Sequence, residues 1–327
     1  MPQQRTSYKI TNWSSYNKSL VNRGRITLWL EADLDFHWLA TPTRGKRGRS
    51  LTYSAVAMQM CLTVKCLYGL TYRATQGFME SFFAHHGIML SCPCYTQMQR
   101  RSATLGMVGK PIGRHRGAID IVVDSTGLKV YGEGEWKVRQ HGVGKRRTWQ
   151  KLHLAIDPLT QEIVGWKDTG NDTHDSEVLS DLVAQATAEE QVVERCLGDG
   201  AYDTRSCYEA CAERHISLVT PPRRDAVVSD PEKPVAALKN RDRAIERIQT
   251  LTERWGDREQ ARKQWKAEVD YHTRSLAETA MFRFKTLCGE TLCSRKEATQ
   301  HTELAIKINL LNQFTRCGMP ESVPVTR

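Results

Sequence analysis

From Leu51 the chain places apolar residues at helical spacing through "LTYSAVAMQMCLTVKCLYGL", and the period breaks at Gly69. A second helix is predicted over "TYRATQGFMESFFAHH", with Thr71 as its N-cap and Gly87 closing it. After "MLSCPC", the segment "YTQMQRRSATLG" reads as a third, short helix. The pattern changes at Ala118. "AIDIVVDSTGLKVYG" holds a β-branched run ending at Asp124, then a turn and a second extended stretch through Val130. "WQKLHLAIDPLTQEIVGWKDTG" predicts two strands around the turn "DPLT". "NDTHDSEVLSDLVAQAT" follows as a helix with Thr173 and Asp175 as N-cap candidates. "QVVERCLGDGAYDTRSCYEACAERHISLV" then gives strand, turn, helix and strand. Three consecutive strands followed by alternating helix and strand fit an α/β fold, a mixed sheet with helices packed on it.

Residues 222–270 are charged and largely helical in pattern, and they separate the β-rich part from "YHTRSLAETAMFRFK". On one helix turning 100° per residue, Tyr271, Arg274, Glu278 and Lys285 share a face, while Leu276, Ala277, Ala280, Phe284 and Leu287 lie opposite and can bury. The polar stripe fits an ordinary solvated face or a metal ligand set among phosphate contacts. Ser275 and Glu278 also have the spacing of a capping box, in which case the helix starts at Ser275 and the shared face is weakened.

The chain has 327 residues, enough for one large or several ordinary domains, with 47 Lys and Arg against 37 Asp and Glu. The resulting net charge of +10 favours a polyanionic partner such as nucleic acid. No run of eighteen apolar residues and no apolar N-terminal core occurs, so a cytoplasmic protein with no membrane contact is expected. The ten cysteines show no CxxC pair or zinc-finger spacing and read as reduced thiols, mostly buried. The first 50 residues end in the basic run Arg44, Lys46, Arg47 and Arg49, either a solvated linker or an arm that tracks a phosphate backbone. The third helix carries Thr96, Gln97, Gln99, Arg100 and Arg101, and three short helices with these side chains on the last match the outline of a helix-turn-helix domain reading base edges. "GKPIGRHRG" is a basic linker. His141 with Lys145, Arg146 and Arg147 fits a DNA-facing loop or a solvated turn, and His174 fits a polar helix start better than a metal ligand. Trp136, Trp149, Trp166, Trp255 and Trp265 read as core anchors.

Asp124 and Asp199 each follow a strand-like apolar run, and Gly198 and Gly200 would let backbone and substrate approach Asp199 closely. Either acid alone could simply start a turn. With Glu278 they would make an all-oxygen set suited to two divalent cations, as in in-line phosphodiester displacement.

Together "VVDST", "GDGAYD" and "YHTRSLAETAMFRFK" resemble the DDE transposases of bacterial insertion sequences, in particular the IS5 family and its IS903-like group. The Tyr-x2-Arg-x3-Glu-x6-Lys signature of that superfamily is reproduced without a gap by Tyr271, Arg274, Glu278 and Lys285, and the tail "GMPES" adds to the likeness. The resemblance implies an RNase H-like catalytic core over 113–221 and 271–315. A basic arm over 1–50, a helical DNA-binding domain over 51–112 and a helical insertion over 222–270 would complete the chain. It implies Asp124, Asp199 and Glu278 as catalytic metal ligands for two Mg²⁺ ions, with Mn²⁺ as substitute. Tyr271, Arg274 and Lys285 would face DNA. The implied partners are double-stranded transposon ends and target DNA, bound by a homodimer or larger synaptic complex in the bacterial nucleoid. The implied activity is cleavage and strand transfer. Two alternatives stay open, a catalytically inactive DNA-binding descendant and a metal-dependent nuclease without strand transfer.

Overall fold

The computed structural model describes residues 7–26, 37–41, 50–105, 117–130, 149–230, 232 and 235–325. Arg44, Lys46, Arg47, Arg49, most of "GKPIGRHRG", Trp136, His141, Lys145, Arg146 and Arg147 lie outside them. Two compact units form, Met1–Gly109 with Lys296–Arg327, and Lys110–Arg295. The segment 271–315, expected to belong to one core, spans the division between them.

In the first unit, β1 (Ser7–Ile10) pairs antiparallel with the C-terminal strand Ser322–Val325. α1 (Trp13–Arg23) follows, so the described part of the expected arm contributes regular structure. α2 (Ala55–Leu67) starts where Ser54 Oγ accepts the Ala57 N–H at 3.0 Å. α3 (Tyr72–His85) starts at the expected Thr71, whose hydroxyl accepts the Ala74 N–H at 3.3 Å. α4 (Tyr95–Arg101) is the short third helix. Ala57, Cys61 and Val64 recur at helical spacing and are fully buried. They pack with Trp38, Met79, Phe83 and Met98, and with Ile306, Leu310 and Phe314 of the helix Glu297–Cys317.

The second unit is built on a six-stranded sheet of β2 (Ile119–Val130), β3 (Trp149–Ile156), β4 (Ile163–Gly170), β5 (Val193–Leu197), β6 (Ser217–Val219) and β7 (Thr291–Leu292). Its order is β4-β3-β2-β5-β6, with β7 also paired to β2. The first three strands are antiparallel, while β5 and β6 join in parallel. An antiparallel meander extended by parallel strands on its first member is an RNase H-like arrangement. The Asp157 carboxylate closes the β3–β4 turn by accepting the Leu159 N–H at 2.8 Å and the Thr160 hydroxyl at 2.7 Å.

α5 (Asp175–Ala186) and α6 (Arg205–Ala212) cover one face of the sheet. Ile119, Ile121 and Val123 alternate toward Val178, Leu179 and Leu182 of α5 and Cys207 and Cys211 of α6. Burying each such aliphatic side chain stabilises the fold by roughly 1.5–3 kcal/mol. At Gly165 of β4 an added Cβ would stand 2.9 Å from the Leu182 carbonyl oxygen, so the α5 backbone rests directly on the strand.

α7 (Lys239–Trp255) and α8 (Arg258–Glu268) make the 222–270 segment largely helical, as its pattern suggested. They close on their own cluster of Ala244, Ile248, Leu251, Ala261 and Trp265. Trp255, expected in a core, is exposed at the end of α7. α9 (Ser275–Cys288) follows a short 3-10 turn over Tyr271–Arg274. Ala277, Ala280 and Phe284 are buried as expected; Leu287 is exposed, and Met281 takes a place on the buried side.

All ten cysteines are free thiols. Cys61, Cys196, Cys207 and Cys211 are buried, five more are half-buried and Cys293 is exposed, so the expectation of mostly buried thiols was too strong. Among the described residues no helix is long and apolar enough to cross a membrane.

Candidate active site

Asp124 lies in the middle of β2, where the sequence suggested a strand end and a turn. Its strand continues because β3 pairs with it without interruption from Val122 opposite Ile156 to Lys129 opposite Trp149. The other edge of β2 is different. β5 pairs with it only through Val122, opposite Leu197, and β7 joins at Lys129 and Val130. Among the described residues, no strand pairs with that edge between these two contacts.

Asp124 stands two residues beyond Val122, and Asp199 two residues beyond Leu197, so the acids follow the same last rung of two parallel strands about 4.8 Å apart. At Gly198 an added Cβ would lie 2.7 Å from the Tyr202 ring, so this glycine is required by packing. At Gly200 the nearest atom would be 3.8 Å away, which leaves a Cβ room. Asp199 caps the following 3-10 turn, its carboxylate accepting the Ala201 N–H at 2.8 Å and its carbonyl the Thr220 hydroxyl at 2.5 Å.

The turn Tyr271–Arg274 anchors to this crevice through the Tyr271 hydroxyl, which donates to the Gly198 carbonyl at 3.0 Å. Burial pushes the Tyr271 phenol up to about 12, so it stays a donor. Arg274 reaches both remaining acids. One terminal nitrogen donates to Glu278 Oε1 at 2.6 Å and the other to Asp124 Oδ2 at 3.3 Å. Of the two readings of the sequence, a continuous helix over all four signature residues is not found, and the helix starts at Ser275 with Tyr271 and Arg274 before it, as the other had it. The capping box does not form either. Ser275 Oγ donates back to the His272 carbonyl at 2.8 Å, and the Glu278 carboxylate is taken by Arg274. Lys285 lies about two turns further along α9, with no ion-pair partner among the described residues.

Burial raises the Asp124 pKa, and the charges of Asp199 and Glu278 raise it further, against the Ser125 N–H and Arg274. The charges of both other carboxylates thus reach Asp124. Arg274 is held well charged, because Asp124 and Glu278 outweigh the burial that opposes its charge. Among the described residues no three His, Cys, Asp or Glu side chains form a ready cage for an ion, and the cation between Asp124 and Glu278 is Arg274. The donors are nevertheless all carboxylate oxygens, and like charge accumulating at one crevice suits a hard divalent cation.

Behind Asp124 stands a polar network that the sequence did not reveal. Ser125 donates its backbone N–H to Asp124 Oδ1 and its hydroxyl to Asp175 Oδ2, both at 2.9 Å. Asp175 Oδ1 also accepts from Lys151 Nζ at 3.2 Å and lies 3.6 Å from His153 Nδ1. His153 is fully buried, its Nε2 against the Thr169 hydroxyl at 2.9 Å, and burial lowers its pKa so that it stays neutral. Asp175 is thus the first residue of α5, not its cap; the N-cap is His174, whose N–H donates to Glu177 Oε1 at 3.3 Å. The buried Tyr202 hydroxyl has no hydrogen-bond partner among the described residues, and burial with the nearby acids pushes its pKa far up. The only sequence signal for this network is the alternation of β3, which places Lys151 and His153 on one face.

In the first unit, Gln97, Gln99 and Arg100 of α4 are exposed and Thr96 is half-buried. Gln97 Oε1 accepts the Cys94 N–H at 3.3 Å, and Thr96 Oγ1 lies 3.0 Å from Cys94 Sγ. Arg101 turns inward and donates to the Tyr53 carbonyl at 2.5 Å.

Among solved structures, a chain of the simian T-cell lymphotropic virus intasome in complex with PP2A regulatory subunit B56 gamma is 12% identical, at a TM-score of 0.25, over 62% of this chain and 63% of that one. This chain therefore spans less than two thirds of that relative. A chain of the Drosophila P element transposase strand transfer complex is 11% identical over 88% and 71%, at 0.32. One of the Mos1 mariner paired end complex with Mn is 9% identical over 80% and 87%, at 0.23. At the family level, residues 21–133 match one transposase DDE domain family and residues 115–313 a second of the same description. The second match covers well over half of the sequence and contains Asp124, Asp199 and Glu278, and the chain belongs to the transposase DDE domain family.

Proposed function

We propose that this transposase binds the ends of an insertion sequence of the IS5 family, IS903-like group, and carries out divalent-metal-dependent DNA cleavage and strand transfer. What supports the reading is Arg274, which donates to both Asp124 and Glu278 beside the edge of β2 that is unpaired among the described residues, while the charge of Asp199 also reaches Asp124. Asp124, Asp199 and Glu278 would hold two Mg²⁺ ions, or Mn²⁺, which when bound supply activation of the attacking oxygen and stabilisation of the leaving one.

The chain's own residues do the rest. Tyr271 fixes the turn against Gly198 and so sets where Arg274 and Glu278 stand relative to Asp124. Among the described residues Arg274 is the guanidinium that donates to Asp124 and Glu278, and its two terminal nitrogens would be placed to receive a scissile phosphate. Lys285 extends positive charge along the same helix toward the DNA. Gln97, Gln99 and Arg100, and Thr96 beside them, remain the candidates for reading end sequence, while Arg101 supports the fold through Tyr53. Paired ends in a dimer or larger complex complete the reading.

The test is Glu278→Gln, which removes one charge and little volume. Nicking of insertion-end DNA in Mg²⁺ or Mn²⁺ should vanish while end binding stays nearly unchanged. Joining of precut ends bearing 3′-OH into plasmid separates strand transfer from simple nuclease activity. Substantial cutting by the variant, or cutting without any joined product from the parent protein, sinks the reading.

A further inference from the structure

α8 carries Arg258, Arg262 and Lys266 at intervals of four residues, a stripe beside the buried Ala261 and Trp265. Each step is about 6 Å along the helix axis, close to the step between successive phosphates of a nucleic-acid strand. At one end the stripe borders a cavity of about 420 Å³ between the 222–227 segment and the helices α7 and α8. Its charged lining is Arg223, Arg224, Arg258 and Arg262 against only Asp225 and Glu253. At the other end, Lys266 sits over the Tyr271 ring at 5.1 Å, next to the turn that carries Arg274 to Asp124.

The acids of this helix are used elsewhere. Glu259 pairs with Lys263, Glu268 with Arg247, and Asp257 caps the helix by accepting the Glu259 and Gln260 N–H groups. Among the described residues, Arg224, Arg258, Arg262 and Lys266 have no carboxylate within ion-pair distance, and Arg262 donates only to the Pro222 carbonyl at 2.8 Å. Burial and then Arg258 and Arg224 push the Arg262 pKa down. Burial and then Arg262 and Arg274 do the same to Lys266. The repulsion links the cavity to the acidic crevice through one unbroken series of cations. Asp203 acts on Arg262 without reaching ion-pair distance, so an anion lying along Arg224, Arg258, Arg262 and Lys266 would meet four cations that no described carboxylate pairs. Guanidinium groups favour phosphate in particular, because their fork matches its oxygens.

We propose that Arg224, Arg258, Arg262 and Lys266 form a phosphate track that seats the backbone of a DNA strand and leads it to the crevice of Asp124, Asp199 and Glu278. The proposal rests on the catalytic reading above for the identity of the polyanion, but its test reads binding, not cutting.

The full chain would be titrated with a duplex of about 30 base pairs of arbitrary sequence, by fluorescence anisotropy between roughly 50 and 200 mM salt. In Arg258→Ala combined with Lys266→Ala, the slope of log K against log salt should become shallower by about 0.9 for each contact removed. Arg258→Lys, which keeps the charge, should retain the parent slope. Arg262 is left in place because it also braces Pro222. Thermal melting checks the fold, and Arg258→Glu on an exposed position serves if the double variant is unstable. An unchanged slope in the folded double variant, or in Arg258→Glu, overturns the track. Glu278→Gln tells the two readings apart, since it should abolish cutting and leave the slope alone. A Glu278→Gln protein that still cuts would defeat the catalytic reading and leave the slopes to decide the track.

Discussion

Ser125 hands its hydroxyl hydrogen to Asp175 across 2.9 Å, which ties the residue next to Asp124 to the first turn of α5. The same carboxylate holds Lys151, so Asp175 fixes two strands behind the crevice. If Asp124 holds a metal ion as proposed, Asp175→Ala should slow nicking by about 10- to 100-fold, the usual cost of losing a partner behind a metal ligand. DNA binding should not change. Single-turnover nicking beside anisotropy measures both, and an unaltered rate would show that Asp124 holds its position without this support.

Arg274 forms ion pairs with both Asp124 and Glu278. Arg274→Gln should therefore bind Mn²⁺ more tightly than the parent when no DNA is present, because a competing cation is gone, yet cut DNA more slowly. Electron paramagnetic resonance of free Mn²⁺ gives the affinity. Equal or weaker Mn²⁺ binding in the variant would mean the guanidinium does not compete.

Asp203 is buried and accepts from Arg241 at 3.0 Å, the Tyr208 hydroxyl at 3.2 Å and the Arg223 N–H at 2.9 Å. It joins α6, the 223 segment and α7. Asp203→Ala leaves the Arg241 guanidinium without its partner and should destabilise the chain by roughly 3–5 kcal/mol, read from urea unfolding. A loss below 1 kcal/mol would mean that water takes over these donors.

His153 is held neutral by burial, with a folded pKa below its unfolded value near 6.5. The unfolded chain then binds the proton first, so this residue contributes stability above pH about 6.5 that is lost as pH falls toward the folded pKa. His153→Asn should show a smaller fall in melting temperature over that acid window than the parent. Parallel curves for the two proteins would rule out a titration effect of His153.

Much of the fold could be read from pattern alone. The Thr71 cap, the Asp157 turn and the succession of strands and helices along the chain follow from local chemistry, which sequence displays directly. What could not be read depends on partners distant in sequence. β2 runs on through Asp124-Ser-Thr-Gly because β3 pairs with it there, overriding a segment that looks like a turn. Arg101 looked free to read bases until the Tyr53 carbonyl claimed it. At the site, the residue types and spacing of the Tyr271 signature were visible and so was a helix start at Ser275, but not that Tyr271 is pulled in by Gly198 or that Arg274 takes the Glu278 carboxylate. The supporting Lys151 and His153 gave almost no signal, because a buried polar side chain on a strand looks like any alternating position.

Gly165 sits on β4, yet its missing methyl decides how near the α5 main chain can approach. Any bulkier residue there would pry that helix outward like a wedge under a hinge, carrying Asp175 with it and slackening the tether on Ser125. The placing of Asp175, and through it of Ser125 beside Asp124, thus depends in part on a side chain that is missing two strands away.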